Sequence, residues 1–252
     1  MNGADRFALI RLDRESRDPM ALARALAEAR STPVQDQVLA AKRAWGIVAE
    51  DLAESEARSL AEALTASGVK CAFGPAAALA DLPAAEPATT IGALPADPPV
   101  LIAAAGLTVT TTTRRTEQTG PTGAQKAASA AIMMTTGLPI KIGGRKRKVR
   151  KTREEKRLAF YLDLHYEGPA RRLRIDASHF DFSCLEERML YQAMGNLKLV
   201  LEDRVEAAPE AWLNHGTRVL LEGKPIRTMG YESVEDLDRE ARWLLTLRGR
   251  GT

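Results

Sequence analysis

The stretch from residue 158 to 177 admits very few conformations. Leu158, Phe160, Leu162, Leu164 and Tyr166 alternate with Ala159, Tyr161, Asp163 and His165; after Glu167-Gly168-Pro169-Ala170, Leu173, Ile175 and Ala177 alternate with Arg172, Arg174 and Asp176. A period of two marks strands with one apolar face, and the Gly-Pro between them marks a hairpin turn. Pairing Tyr166 with Arg171 sets Leu164 opposite Leu173, Leu162 opposite Ile175, Asp163 opposite Arg174 and His165 opposite Arg172. Both faces are then satisfied at once, and a slip by one residue breaks both. The second face, being polar, is expected to be wet. Phe180 and Phe182 fall out of phase, which implies a bulge or a strand end near Ser178-His179.

Elements on either side follow from local pattern. The Thr-rich run 108–113 extends a strand from residue 100, because β-branched residues in that density favour extended backbone. Residues 124–136 read as a helix stopped by Gly137 and Pro139. Residues 189–205 read as a helix with Met194, Leu197, Leu201 and Val205 in one stripe, and Pro209 opens a short helix through Trp212 that stops near Gly216. Ser233 and Asp236 form a capping pair for a last helix facing inward through Val234, Leu237, Ala241, Leu244 and Leu245. Strands first and helices last make this half α+β, loosely similar to pleckstrin-homology-like domains, in which a terminal helix closes a bent sheet.

The N-terminal residues give a second pattern. Residues 7–12 (FALIRL) read as a buried strand, and Asp18-Pro19 starts a helix over 20–30. A further helix over 34–44 points Val34, Val38, Leu39 and Trp45 inward, with Gly46 as its stop. Ile47-Val48 is a brief strand, Asp51 with Glu54 a capping signal, and Leu52, Ala57, Leu60, Ala61 and Leu64 the apolar stripe of a helix ended by Ser67-Gly68. Residues 69–73 (VKCAF) alternate as a strand with Val69, Cys71 and Phe73 inward. The order is β-α-α-β-α-β.

This order, with Ala40-Ala41-Lys42, Ile47-Val48, Glu56-Ala57, Leu60, Leu64, Gly68 and Val69, resembles the C-terminal domain of the large-subunit ribosomal stalk protein over residues 7–73. The resemblance implies that fold. It does not carry the family's partner, because the helix start that helps receive translation factors there contains glycine and lysine, whereas here residues 31–36 are Ser-Thr-Pro-Val-Gln-Asp. Residues 76–99, rich in Pro and Ala, have the composition of a semi-rigid spacer, and residues 76–82 at its start read as a short helix. The expected organisation is a stalk-like domain over 1–75, a linker over 76–99 and an α+β domain over 100–252.

Composition narrows the function classes. The 252 residues are 45% hydrophobic and 27% charged, enough to bury a core. Two cysteines without metal-ligand spacing argue against a disulfide framework or a zinc site. The N-terminus lacks a signal-peptide core and the most apolar stretch, 127–140, is too short to span a bilayer, so a cytoplasmic location is expected. Net charge is +3, but residues 141–157 hold ten basic and two acidic side chains. In that segment Arg145, Lys146, Arg147, Lys148, Arg150 and Lys151 are candidates for binding phosphates of nucleic acid or lipid headgroups. A solvated, basic strand edge explains the same run.

Other candidates are weaker. His179, with Asp176, Asp181 and Cys184, is the one cluster joining a nucleophile, a base and carboxylates, although such groups at a strand end commonly serve structure. His165 and His179 lie at opposite ends of the hairpin and cannot share a metal. His215 reads as a helix C-terminal residue. Trp45, Trp212 and Trp243 read as core or domain-contact residues on helices, and Met133-Met134 as core or as an adaptable contact for a partner. No cofactor, metal ligand or catalytic set is implied, and no Gly-x-x-x-x-Gly-Lys-Ser/Thr occurs. The expectation is a non-enzymatic interaction or regulatory protein with a protein partner, the alternative being attachment to an anionic surface through 141–157.

Overall fold

The computed structural model describes residues 6–14, 18–119, 131, 134, 147–167 and 171–251. The fold is α+β. By compactness the chain divides into one unit made of Met1–Leu107 with Ala159–Thr252 and another made of Thr108–Leu158.

The larger unit begins with the β-α-α-β-α-β pattern. Strands β1 (Phe7–Arg11), β2 (Ile47–Leu52) and β3 (Cys71–Pro75) form an antiparallel sheet in the order β2-β1-β3. Helices α1 (Pro19–Arg30), α2 (Val34–Arg43) and α3 (Glu54–Ala66) supply Leu22, Leu26, Ala41, Leu60 and Leu64, which close over Leu9. Asp18 caps α1 by accepting from the backbone N–H of Met20 and Ala21. Two local expectations fail. Leu39 is exposed, and buried Gln37 takes the inward place by bonding Arg30 and Thr32. Asp51 does not cap α3, since β2 runs through it with a left-handed φ of 60° and the cap position is Ala53.

Residues 76–99 are packed along this unit rather than strung out as a spacer. Leu79 and Ala88 are buried, the Ala80 N–H donates to Thr246, and β4 (Glu86–Ala88) pairs in parallel with β7 (Arg171–Asp176). A Pro at an edge strand costs no ladder bond if its N side faces outward, which is why this composition can still join a sheet.

The second sheet has the order β4-β7-β6-β5-β8, with β5 at Leu101–Thr119, β6 at Arg147–Tyr166 and β8 at Trp212–Leu213. It is mixed, with β5 and β8 parallel and β6 and β7 antiparallel in the expected register from Tyr166↔Arg171 to Leu162↔Ile175. Residues 101–105 are completely buried, so β5 is covered on both faces there. Both long strands continue into the Thr108–Leu158 unit. Of the helix expected over 124–136, only Ala131 and Met134 are described, both exposed and helical; Met133 lies outside the described residues.

Helices α4 (Ala193–Ala207), α5 (His215–Leu221) and α6 (Val234–Gly249) complete the larger unit. Helix α4 starts four residues later than the helix expected over 189–205. Asn196 explains this by folding back, accepting from Leu190 N–H at 2.6 Å and donating to Leu190 C=O at 2.9 Å, which fixes the preceding residues outside the helix. The segment at Trp212 is a strand, not a helix, and His215 is the first residue of α5 rather than the end of a helix. Asn214 caps α5 by accepting from Thr217 N–H at 2.8 Å. Gly216 lets α5 approach β5, because a Cβ there would meet Ala104 O at 1.9 Å. The Ser233/Asp236 capping box forms as expected. Among the described residues no helix is long and apolar enough to cross a membrane.

Candidate functional site

The polar face of the hairpin is dry. Asp163 (0% exposed), His165 (2%) and Arg172 (3%) are as buried as the leucines behind them, because α6 lies over this face and brings Asp238 to it. Arg172 donates to Asp163 and Asp238, and Arg174 donates to Asp163 from Nε at 2.7 Å and to Asp238 from Nη2 at 2.9 Å. Two carboxylates and two guanidiniums neutralise one another in a closed quartet. Burial alone would lower the Arg174 pKa, but the bonds and charges of Asp163 and Asp238 raise it above its ordinary value. The alternating pattern predicts which residues share this face; the neighbour that covers it lies more than sixty residues downstream.

A second buried network ties β5 to α5 and α6. Glu240 (3% exposed) accepts from Asn214, from the Tyr231 hydroxyl and from His215 N–H, while Tyr231 in turn accepts from Gly216 N–H at 3.0 Å. Asn214 also bridges both backbone groups of Ala104, donating to its C=O at 3.1 Å and accepting from its N–H at 3.0 Å. Every member serves backbone or neighbour, as a structural network requires. The Tyr231 ring stacks on Trp45 with centroids 4.2 Å apart, and the adjoining cavity of about 30 Å³ beside Trp45, Gly46 and Trp243 has room for about one water molecule.

His165 belongs to neither network. Neither ring nitrogen, both of them buried, has a hydrogen-bond partner among the described residues. Burial is the largest cause and, with the positive charges of Arg172 and Arg174, outweighs the opposing charges of Asp163 and Asp238 and lowers its pKa to about 4. Leaving a buried polar atom unsatisfied costs about 1–3 kcal/mol. The residue lines an open cleft of about 650 Å³ that also takes in Trp212, Leu245, Val100 and the rim arginines Arg171 and Arg248.

The His179 cluster is a turn. Its Nδ1 faces both Ser178 Oγ at 3.0 Å and Asp176 Oδ2 at 3.1 Å, so one nitrogen meets the hydroxyl and the carboxylate alike. A relay needs them on opposite nitrogens. Burial would raise the Asp176 pKa, but the Ser178 bonds and His179 lower it, and the His179 side chain is 71% exposed. Cys184 is exposed, and its thiol pKa is raised, chiefly by partial desolvation, which disfavours the thiolate. Asp181 caps the following turn through Ser183 N–H. No cluster of His, Cys, Asp or Glu able to hold a metal ion occurs among the described residues.

Of the basic candidates, Arg145 and Lys146 lie outside the described residues, and Arg147, Lys148, Arg150 and Lys151 lie on β6. The Thr108–Leu158 unit contains thirteen Lys and Arg against three Asp and Glu, a net of +10, leaving the rest of the chain at −7.

One surface feature escaped the sequence pattern. Met189, Leu190 and Tyr191 are three consecutive exposed apolar side chains, Tyr191 wholly so, held by the Asn196 bonds and by Met189 N–H donating to Glu186 C=O at 3.1 Å. Glu186 takes a left-handed φ of 48° to turn the chain there. A helix over the same residues hides this feature from any count of apolar spacing. Comparison with protein-family models, curated proteins and solved structures returns no match.

Proposed function

We propose that this chain is a non-catalytic interaction protein that docks on a protein partner through Met189, Leu190 and Tyr191. The observation that carries the reading is the fixed exposure of these three side chains. Large apolar groups cost free energy in water, and fully burying an exposed one contributes roughly 1.5–3 kcal/mol, less for Met189 and Leu190, which are already about half buried; a backbone pinned beforehand lowers the ordering cost of association. Residues 182–206 around them carry five acidic and three basic side chains, so the partner is a protein with an apolar pocket rimmed by basic residues. The likeness of residues 7–73 to the stalk domain enters at the level of fold only.

The test is quantitative capture from the native cell with the full chain and with Leu190→Asp/Tyr191→Asp. The reading expects one set of proteins retained at high salt by the parent and lost by the variant. An unchanged set overturns it.

A second reading rests on the charge division. A separate compact unit of net +10 is suited to a polyanion, whether nucleic acid or lipid headgroup, since neutralising phosphates releases counterions. Retention on nucleic acid or anionic vesicles that falls steeply with salt, and that is lost when Lys148, Arg150 and Lys151 become Glu, supports it; salt-independent retention removes it.

A further inference from the structure

We infer that β5 and β6, where they run through residues 108–119 and 147–158, form a two-stranded ribbon that enters the major groove of B-form duplex DNA. The inference rests on the polyanion reading above and names the polyanion; the docking surface at Met189 to Tyr191 has no part in it.

The backbone supplies the shape. β5 and β6 are neighbours in the sheet, and Val100 N–H donates to His165 C=O at 2.7 Å, so the start of β5 lies at the end of β6 and the two run antiparallel. That course brings 108–119 alongside 147–158. β8 pairs with β5 only at Leu101 and Ile102, and β7 pairs with β6 only from Tyr161 to Tyr166. Among the described residues no third strand joins the pair beyond these positions. Lys156 and Arg157 are consecutive, hence on opposite faces of β6, and both are exposed, whereas residues 162–166 are all buried. Both faces are therefore open there. At about 3.3 Å per residue the ribbon reaches about 40 Å, slightly more than the ~34–36 Å of one DNA turn.

Charge selects the groove. Along β6 the positions of Arg147, Lys151, Arg153 and Arg157 share one face and those of Lys148, Arg150 and Lys156 the other, while Arg114 and Arg115 divide in the same way on β5. These nine cations face three carboxylates, Glu117, Glu154 and Glu155. A flat lipid surface meets one face of a ribbon and leaves the cations of the other in water. A groove has a phosphate backbone on each wall and meets both. A sheet with its side chains is about 10 Å thick, which fits the ~12 Å major groove of B-DNA, whereas the major groove of A-form RNA is too narrow. Exposed Thr108 and Thr110 add hydroxyls of the kind that bond phosphate oxygens.

The test follows the anisotropy of a labelled DNA duplex titrated with the full chain. Log affinity should fall with log salt at a slope of about −5, as contact with about six phosphates requires. Unlabelled DNA should displace the label at a phosphate concentration about tenfold or more below that needed with duplex RNA of the same sequence or with phosphatidylserine vesicles. Arg147→Gln/Lys151→Gln/Arg153→Gln on one face and Lys148→Gln/Arg150→Gln/Lys156→Gln on the other should each reduce the slope by about 2–3. Competition by RNA or vesicles as good as that by DNA overturns the inference and leaves the polyanion reading standing, as does a slope that only one of the two variants changes. Failure of DNA, RNA and vesicles alike to bind at about 50 mM salt removes both. The competition needs only the parent chain, so it decides even if a variant fails to fold.

Discussion

Gly46 lies under the indole of Trp243 so closely that a Cβ added to it would sit 1.9 Å from the Trp243 ring, and its φ of +94° is one that side chains rarely adopt. Trp243 is held there by its own Nε1–H, which donates to Arg11 C=O at 2.8 Å. Gly46→Ala therefore combines backbone strain with overpacking and should cost about 3 kcal/mol or more. Gly68→Ala supplies the control, since Gly68 shares a positive φ but has open space beside it; its cost should be near 1 kcal/mol. Urea unfolding of both variants checks the pair, and equal losses would show that the Trp243 contact does not matter.

Asp163→Asn should be among the most damaging single changes in the hairpin. It leaves Arg172 buried with one carboxylate instead of two, and breaking a buried ion pair from one side costs about 3–5 kcal/mol. Asp238→Asn should cost clearly less, because that carboxylate reaches solvent. Thermal unfolding at neutral pH ranks the two.

His165 should make stability depend on pH. Its folded pKa, about 4, lies below the ordinary histidine value of 6.5. The unfolded chain therefore binds the proton first, and the folded state loses stability as pH falls from about 6.5 to about 4, with no further loss from this group below that. The full span amounts to about 3 kcal/mol at 1.36 kcal/mol per pH unit. In His165→Phe this part of the slope should vanish, and the variant should be no less stable than the parent at pH 5. A slope unchanged by the substitution would assign it to other groups.

Asn196→Ala should release residues 189–191 without disturbing the core. Two hydrogen bonds to Leu190 go, costing about 1–3 kcal/mol. Amide exchange at Leu190 should accelerate while that of Val200 and Leu201 keeps its protection. Uniform acceleration would mean that the clamp supports the whole helix.

The parts of the fold legible from the chain were those where each residue's neighbours lie close by in sequence. The hairpin register from Tyr166↔Arg171 onward, the stripe of Ala57, Leu60, Ala61 and Leu64, and the Ser233/Asp236 cap all depend on contacts within a few residues. What covers the Asp163 face could not be read, because Asp238 arrives from far downstream and an alternating polar residue looks the same under water as under a helix. The same holds for residues 76–99, whose edge pairing is decided by β7. The errors at Met189 and Trp212 have one cause: asparagine side chains, Asn196 and Asn214, bind backbone more favourably than the helical periodicity predicts. At the candidate site, alternation places His165 on the polar face but does not show that this face is covered, and helical spacing through 189–205 conceals the exposure of Met189, Leu190 and Tyr191.

The seating of Trp243 also bears on how the chain is made. Its bond to Arg11 joins residues 232 positions apart, so during synthesis the β1–β2 layer leaves the ribosome with its Gly46 slot empty and waits, at about 5–20 residues per second, for α6 to be translated. Nascent chains arrested before residue 234 should therefore be cut by protease within this layer, and chains arrested well beyond the end of α6 should resist.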